Sequence, residues 1–600
     1  MCGYLGIISN KNQEHSIEIL KQANKRIICR GPNETKCMFS SDLETHQQNT
    51  FSFIFNRLSI IDLSLQASQP MLSDKYKNVI LFNGEIYNHR ELRKDLENHG
   101  INFKSTHSDT EVILNGISVF GLSFIDKLIG QFAITFYDQL NEKIYLIRDR
   151  LGQKPLFYSL ADKSLTFGSN LLSVSELSGE SEVDSHSINE YLNIGIVQSP
   201  RTLIKNITKL KPGEIVTIDL IDYSISSTIY WDIEKKLGNK KFSKKKFFDL
   251  LTSSIKYRLE SDVPVAAFLS GGIDSTSVVK NLFEQGVEIN TFSAVYEDEL
   301  YDESEWIDLV ADKYSTKQKM TKLDSEMDLD KIFEAIDAFD EVYCDPSIVP
   351  TYFLSNEIAK FYSVAISGDG GDELLGGYSR LKKTLSKPNI FNHLYSMLYY
   401  LYPSFLGTGN HFLVKSSLLK TRYASFFEDV KLLKILNLDK DNNFEDNIVT
   451  VKENNYKSLL MTDYKFYLPE MMMLKIDRAS MANSLEVRSP FVDHRLVEYI
   501  MAHDTDYFNI ENPKRILKDY LSNDFDEDFL NRPKMGFVFN LENFVFTNFE
   551  EISNYIIQNN EYFKDVSKPL KKLSKYKTRM NAIRIFKILI LTRYLKQNFS

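Results

Sequence analysis

The chain has 600 residues, 43% of them hydrophobic and 26% charged, with 25 Gly and 15 Pro. This is ordinary globular usage, enough for about two to four domains at roughly 150 residues each, and it excludes collagen-like, low-complexity and broadly disordered chains. Its 72 Lys and Arg against 81 Asp and Glu leave a net charge of −9, so no basic surface and no nucleic-acid partner are expected.

Met1-Cys2-Gly3-Tyr4-Leu5-Gly6-Ile7-Ile8 is apolar, but it has no basic flank and soon meets Lys11 and Glu14, so it does not read as a signal peptide. Residues 1–215 read as strand-rich, with runs at Phe51–Phe55, Val79–Phe82, Gly130–Tyr137, Lys143–Ile147, Pro155–Tyr158 and Glu214–Asp219. Two amphipathic helices, Ser16–Cys29 and Asn88–His99, fit between them. The pattern predicts an α+β domain of layered antiparallel sheets with helices over residues 1–215. The lysine-rich stretch Glu234–Lys246 reads as a linker or exposed helix entry.

Beyond it the rhythm changes. Val263–Leu269 suits a buried parallel strand, and Ser270–Ser275 turns into a helix at Ser277–Gln285. Strand Thr291–Val295, helix Ser304–Tyr314, helix Ser355–Lys360 and strand Tyr362–Ser367 follow, and from Lys382 the chain is mostly helical. This grammar predicts an α/β doubly wound parallel-sheet domain with a helical C-terminal part over residues 240–600. No stretch reaches the roughly 20 apolar residues a membrane helix needs, so no membrane partner is expected. Cysteines at only 2, 29, 37 and 344 fit neither a disulfide scaffold nor a zinc site, which predicts a reducing, cytoplasmic setting.

Cys2 taken alone says little, but its chemistry is specific. Removal of Met1 would give one residue both a thiol and a free α-amine, with a reference pKa of about 7.7–8.0, to serve as its base. Arg57 alone reads as a surface arginine, and Asn83-Gly84 alone as a hairpin turn. Yet Met1-Cys2-Gly3, Arg30-Gly31-Pro32, Asn56-Arg57-Leu58-Ser59-Ile60, Phe82-Asn83-Gly84-Glu85-Ile86-Tyr87-Asn88 and Ser108-Asp109-Thr110-Glu111 occur in that order. Together they resemble the glutamine amidotransferase domain of the N-terminal-nucleophile type. The resemblance implies that Cys2 attacks the glutamine amide while Asn83 and the Gly84 N–H form the oxyanion hole. It further implies that Arg57 forks onto the substrate carboxylate, that Asp109 and Glu85 hold the α-ammonium, and that Ile60 lines the pocket.

Ser270-Gly271-Gly272-Ile273-Asp274-Ser275 follows a strand and opens a helix, which suits an anion site of backbone N–H groups and a helix N-terminus. It lacks the Lys of a Walker A loop and resembles the pyrophosphate loop of ATP-pyrophosphatases. Asp274 would repel phosphate unless a cation intervenes, which points to Mg²⁺. A second segment, Ser367-Gly368-Asp369-Gly370-Gly371-Asp372-Glu373-Leu374-Leu375-Gly376-Gly377-Tyr378, supplies Asp372 as the other expected ligand. Lys475-Ile476-Asp477-Arg478-Ala479-Ser480-Met481, Glu486-Val487-Arg488-Ser489-Pro490-Phe491 and Arg532-Pro533-Lys534-Met535-Gly536-Phe537 follow.

In order, these segments resemble the synthetase half of glutamine-dependent asparagine synthetases. The resemblance implies that Leu269, Ser270, Gly271, Gly272, Asp274, Ser275, Val295, Ser367 and Gly368 bind ATP. Lys534 and Tyr378 would face an acyl-adenylate, with Asp369 beside them among the catalytic groups. Glutamine, ATP and a carboxylate, aspartate first, are the implied partners, with Mg²⁺ as cofactor, and a homodimer is compatible with the resemblance. Departures from the family pattern are Asp369 where Glu is common, Asn33 where RGPD has Asp, Asn170 at a commonly acidic position, and Gly536-Phe537-Val538-Phe539 for GFGVP. The Gly-Asp-Gly-Gly-Asp form leaves another acceptor, such as a uronic acid, open. A nucleotide-binding paralogue without turnover is the reading from another class, and the retained Cys2, Arg57, Asn83, Asp109, Asp274, Asp372 and Lys534 argue against it.

Overall fold

The computed structural model describes residues 2–10, 17–42, 49–296, 302–323, 327–386, 392–415, 418–440, 444–451, 454–504, 511–532 and 539–599. Gly3–Asn10, a strand the sequence signals did not mark, pairs antiparallel with both Asn49–Arg57 and Ser164–Gly168 at the centre of a six-stranded sheet. A second six-stranded sheet is built around Gly130–Asp138, flanked by Val79–Ile86 and Lys143–Arg148. Side chains alternate across each strand. Tyr4 and Ile8 therefore face Phe53, Leu81, Tyr137, Leu146 and Val216 between the sheets, while Leu5 and Ile7 face outward toward helices. Those outer helices are Ile17–Asn24 and Leu171–Ser178 on one side, His89–Asn98 and Asp109–Phe120 on the other. The helix expected over Ser16–Cys29 ends at Asn24 and is followed by a 3-10 turn at Ile28–Arg30.

The second sheet continues through Glu214–Asp219 to an edge strand, Ile225–Ile229, beyond residue 215. The lysine-rich stretch is not free. Gly238 and Lys240 donate their N–H groups to the carbonyls of Met501 and Ala502, tying it to the end of helix His494–Ala502.

The third sheet is parallel throughout, with the order Lys317–Leu323, Asn290–Tyr296, Val265–Phe268, Val364–Ile366, Glu486–Arg488. The first strand in sequence lies at its centre and the chain moves outward on both sides. A doubly wound sheet opens its binding crevice at that switch point, beyond the carboxyl ends of the strands. Helix Ile273–Glu284 begins four residues earlier than the sequence pattern suggests, because the glycine loop runs straight into it with Gly272 at its cap. Among the described residues no helix is long and apolar enough to cross a membrane.

Candidate active sites on two faces of one helix

Cys2 lies at the mouth of its strand, 7% exposed. Its N–H donates to Asn83 Oδ1 at 3.1 Å, and its carbonyl accepts from Arg30 Nε at 3.2 Å. Asn83 Nδ2 is buried with no hydrogen-bond partner, a donor left available beside the thiol. Cys2, Arg57, Ile60, Gly84, Glu85 and Asp109 line one small pocket of about 30 Å³. Burial pushes the Cys2 thiol upward, with Arg57 opposing, so at rest it is a thiol that needs a base. Burial likewise raises the Glu85 carboxyl well above its usual range, reinforced by Asp109 and Glu486.

Arg57 is held in place by its own loop, donating to the carbonyls of Ser64, at 2.9 Å, and Asp62. Asn33 accepts the Ser59 N–H at 2.9 Å, so an amide oxygen serves where the family pattern has a carboxylate. Asn170 likewise caps helix Leu171–Ser178, accepting from Ser173 N at 2.9 Å.

Gly84 has no room for a side chain: a Cβ there would stand 2.0 Å from the Gln131 carbonyl across the strand pair. Gly84→Ala therefore displaces the very N–H expected to stabilise the oxyanion. Glutamate release should fall about a hundredfold or more, the cost of losing one such donor. A steady-state glutaminase assay checks this, and an unchanged rate would remove Gly84 from the oxyanion hole.

The larger cavity, about 520 Å³, opens at the switch point of the parallel sheet. Leu269, Ser270, Gly272, Asp274, Ser275, Ser367, Gly368, Asp369, Asp372 and Tyr378 all line it. Gly271 gives its carbonyl to Arg532. The Val295 side chain turns instead into an apolar cluster with Leu269, Val279 and Ile307, and its neighbour Ala294 lines the cavity. The glycine loops interlock. A Cβ on Gly371 would lie 2.5 Å from Asp274 Oδ1, and one on Gly368 would lie 2.7 Å from the Ser275 nitrogen. Tyr378 donates to Glu373 Oε1 at 2.6 Å. Lys534 lies outside the described residues.

Sequence reasoning missed Lys514. Its ammonium sits 2.5 Å from Asp274 Oδ2 and 2.5 Å from Asp372 Oδ1, and despite burial these carboxylates push its pKa above the ordinary lysine value. Two largely buried carboxylates converging on one cation form a hard-oxygen pair, the donor chemistry Mg²⁺ takes. The residues therefore fit that ion. Arg532, quoted in a motif without a role, stands in the same wall 3.9 Å from Glu303. Burial pushes the Glu303 carboxyl up to about 7.

The short helix Leu474–Met481 lines the large cavity and is linked to Cys2 through Arg30. Lys475 and Ile476 line the large cavity. Asp477 takes a two-point hydrogen bond from Arg30, at 2.9 and 3.1 Å, and a third from Lys154 at 3.2 Å. Arg30 in turn holds the Cys2 carbonyl. A second bridge passes from Glu85 to Arg488 Nη2 at 3.2 Å, and the Arg488 carbonyl accepts the Ser367 N–H at 3.0 Å. Arg488 also binds Glu486 at 2.5 Å and, despite burial, holds its carboxyl down to about 2.

Comparison with known proteins agrees with this division. A glutamine amidotransferase domain model matches residues 1–231, and an asparagine synthase model matches residues 246–563. The chain is 30% identical over 584 residues to asparagine synthetase (glutamine-hydrolyzing) 1 of Bacillus subtilis, covering 94% of this chain and 90% of that protein. It is 33% identical over 402 residues to a putative asparagine synthetase (glutamine-hydrolyzing) 2 of Methanocaldococcus jannaschii, covering 63% and 76% of the two chains. It is also 27% identical over 508 residues to amidase chyE of Penicillium rubens, covering 74% and 73%. With a domain model matching each half and a 30% identical relative aligned over nearly its whole length, the chain belongs to the glutamine-dependent asparagine synthase family.

Proposed function

We propose that this protein releases ammonia from glutamine at Cys2, activates a carboxylate with ATP as an acyl-adenylate in the large cavity, and joins the two as an amide. The observation that carries this reading is the shared helix Leu474–Met481, whose residues 475 and 476 line the synthetase cavity while residue 477 is bonded to the arginine that holds Cys2. Ammonia must arrive unprotonated and the adenylate must be kept from water, so a short, protein-walled route between the sites serves both needs.

Cys2 is the nucleophile and, once Met1 is removed, its α-amine is the base. Asn83 Nδ2 and the Gly84 N–H receive the oxyanion. In the large cavity, backbone N–H groups of the Ser270–Ser275 loop and the N-terminus of helix Ile273–Glu284 cradle phosphate. Asp274 and Asp372 would hold Mg²⁺, which offsets charge on departing pyrophosphate when bound. Lys534 and Tyr378 would orient the reacting carboxylate. Four free cysteines, Cys2 among them, suit a reducing cytoplasmic setting.

Aspartate is the acceptor we favour; the likeness to a fungal amidase keeps another carboxylate, such as a uronic acid, as the second reading. Incubation with ATP, Mg²⁺, glutamine and each acid in turn, with AMP, pyrophosphate and amide measured, decides between them. AMP with aspartate is the expected result. AMP with another acid and none with aspartate would move the assignment to that acid.

A further inference from the structure

Helix Asn392–Leu401 carries an apolar face that nothing covers among the described residues. Leu394, Met397 and Leu401 recur at spacings of three and four, which places them on one side, with Tyr400 beside them. They are 47%, 53%, 68% and 77% exposed, in that order. The opposite side is used for packing: Tyr395 stands 6.4 Å from Phe412, and the Tyr399 ring lies under the Lys431 ammonium. Large apolar side chains grouped in water on one face mark a surface that a partner covers.

The charge around this helix says which partner. Residues 379–427, which contain it, hold seven Lys and Arg and no Asp or Glu. Residues 566–600 hold ten Lys and Arg and again no acid. The fold brings the two stretches together just past the helix. Phe405 stacks on Tyr576 with ring centres 4.9 Å apart, and Arg584 and Asn581 donate to the carbonyls of Ser404 and Phe405 at 2.7 and 2.9 Å. Some of the cations are neutralised, Arg584 by Asp429 and Arg593 by Asp337. Lys571, Lys572, Lys575, Lys577 and Arg579 are exposed and form no ion pair among the described residues. Lys415, also exposed, stands 5.0 Å over the Tyr395 ring, so a cation lies against the helix itself. A chain with a net charge of −9 thus gathers cations, without acids, beside its uncovered apolar helix.

We propose that this face docks the protein peripherally on an anionic lipid surface. Leu394, Met397 and Leu401 would enter the boundary between headgroups and acyl chains, and the cations of residues 571–579 would meet lipid phosphates. Tyr400, with an apolar ring and a polar tip, suits that depth. A second copy of the chain fits less well, because a twofold contact sets the same cations against each other. A nucleic acid would use the cations but not the three aliphatic side chains. The docking does not depend on the reaction proposed above.

The test sediments the full chain with vesicles of phosphatidylcholine alone and of phosphatidylcholine mixed with phosphatidylglycerol. Binding should require phosphatidylglycerol and fall about tenfold or more from low to high salt. Met397→Glu combined with Leu401→Glu should cut vesicle affinity about a hundredfold, since both side chains would otherwise be buried in lipid. Lys571→Glu combined with Lys577→Glu should weaken binding about tenfold at low salt and much less at high salt. Both variants alter exposed positions and should keep the wild-type thermal midpoint. No sedimentation with phosphatidylglycerol vesicles, or binding that Met397→Glu with Leu401→Glu leaves intact, would overturn the proposal. Capture of RNA in place of vesicles, or a dimer that the same pair of changes dissociates, would also overturn it and give the face to that partner.

Discussion

Cys2→Ala should abolish amide formation from glutamine and leave amide formation from ammonium salts close to the wild-type rate. The size of the first effect follows from losing the attacking atom itself, for which nucleophile deletions in other hydrolases cost on the order of a million-fold. The restriction to one half follows from which atoms are involved. The contacts that fix residue 2 are its backbone N–H on Asn83 and its carbonyl on Arg30, and alanine keeps both. The Arg30–Asp477 pair, and through it the wall of the synthetase cavity, is untouched. Glutamate release by the wild type with Met1 removed should also rise from pH 6 to 8 as the Cys2 α-amine, with its reference pKa of about 7.7–8.0, becomes a base. Burial raises the thiol, so it cannot supply that activity by ionising early. Loss of ammonia-dependent synthesis in a folded Cys2→Ala protein would contradict the separation of the two chemistries.

The two glycine loops stand out as runs of neighbouring residues with unusual chemistry, whereas Cys2, Arg57, Asn83 and Asp109 each read as ordinary alone and are picked out only by the family order of the segments around them. In the structure Asn83 and Gly84 share one strand, and Asp109 reaches the same strand by accepting the Ile86 N–H at 3.1 Å. The apolar run Val263–Leu269 likewise announced the central parallel strand, observed at Val265–Phe268. What stayed hidden depends on partners far apart in the chain. Lys514 meets Asp274 across 240 residues, and nothing in Asn512-Pro513-Lys514-Arg515 marks it as a ligand to anions. Two strands of the parallel sheet were invisible for another reason. Lys317–Leu323 is an edge strand whose polar residues face water, and Glu486–Arg488 is three residues long, with charged ends buried by ion pairs instead of apolar packing. Neither has the hydrophobic signature that strand recognition relies on.

Asp477→Asn should be the most damaging single change at the junction of the two halves. The wild-type carboxylate faces three cations, Arg30 at 2.9 Å and Lys154 and Arg478 each at 3.2 Å, all almost fully buried. An amide leaves these charges without their counter-ion, and breaking a buried pair in this way costs about 3–5 kcal/mol. Despite burial, the three cations hold the Asp477 carboxyl far below the usual carboxylate range. A group depressed in the folded state contributes stability that is fully present above its unfolded pKa of about 3.9 and is lost as pH falls through the folded value. Wild-type urea midpoints should therefore decline on acidification below about pH 4, and the Asn variant, already lower at neutral pH, should show less of that decline. Because Arg30 also holds the Cys2 carbonyl, the variant should lose coupling as well as stability, with more glutamine hydrolysed per amide formed than in the wild type. Equal urea midpoints and an unchanged glutamate-to-amide ratio would show that Asp477 neither joins the two sites nor seals the wall between them.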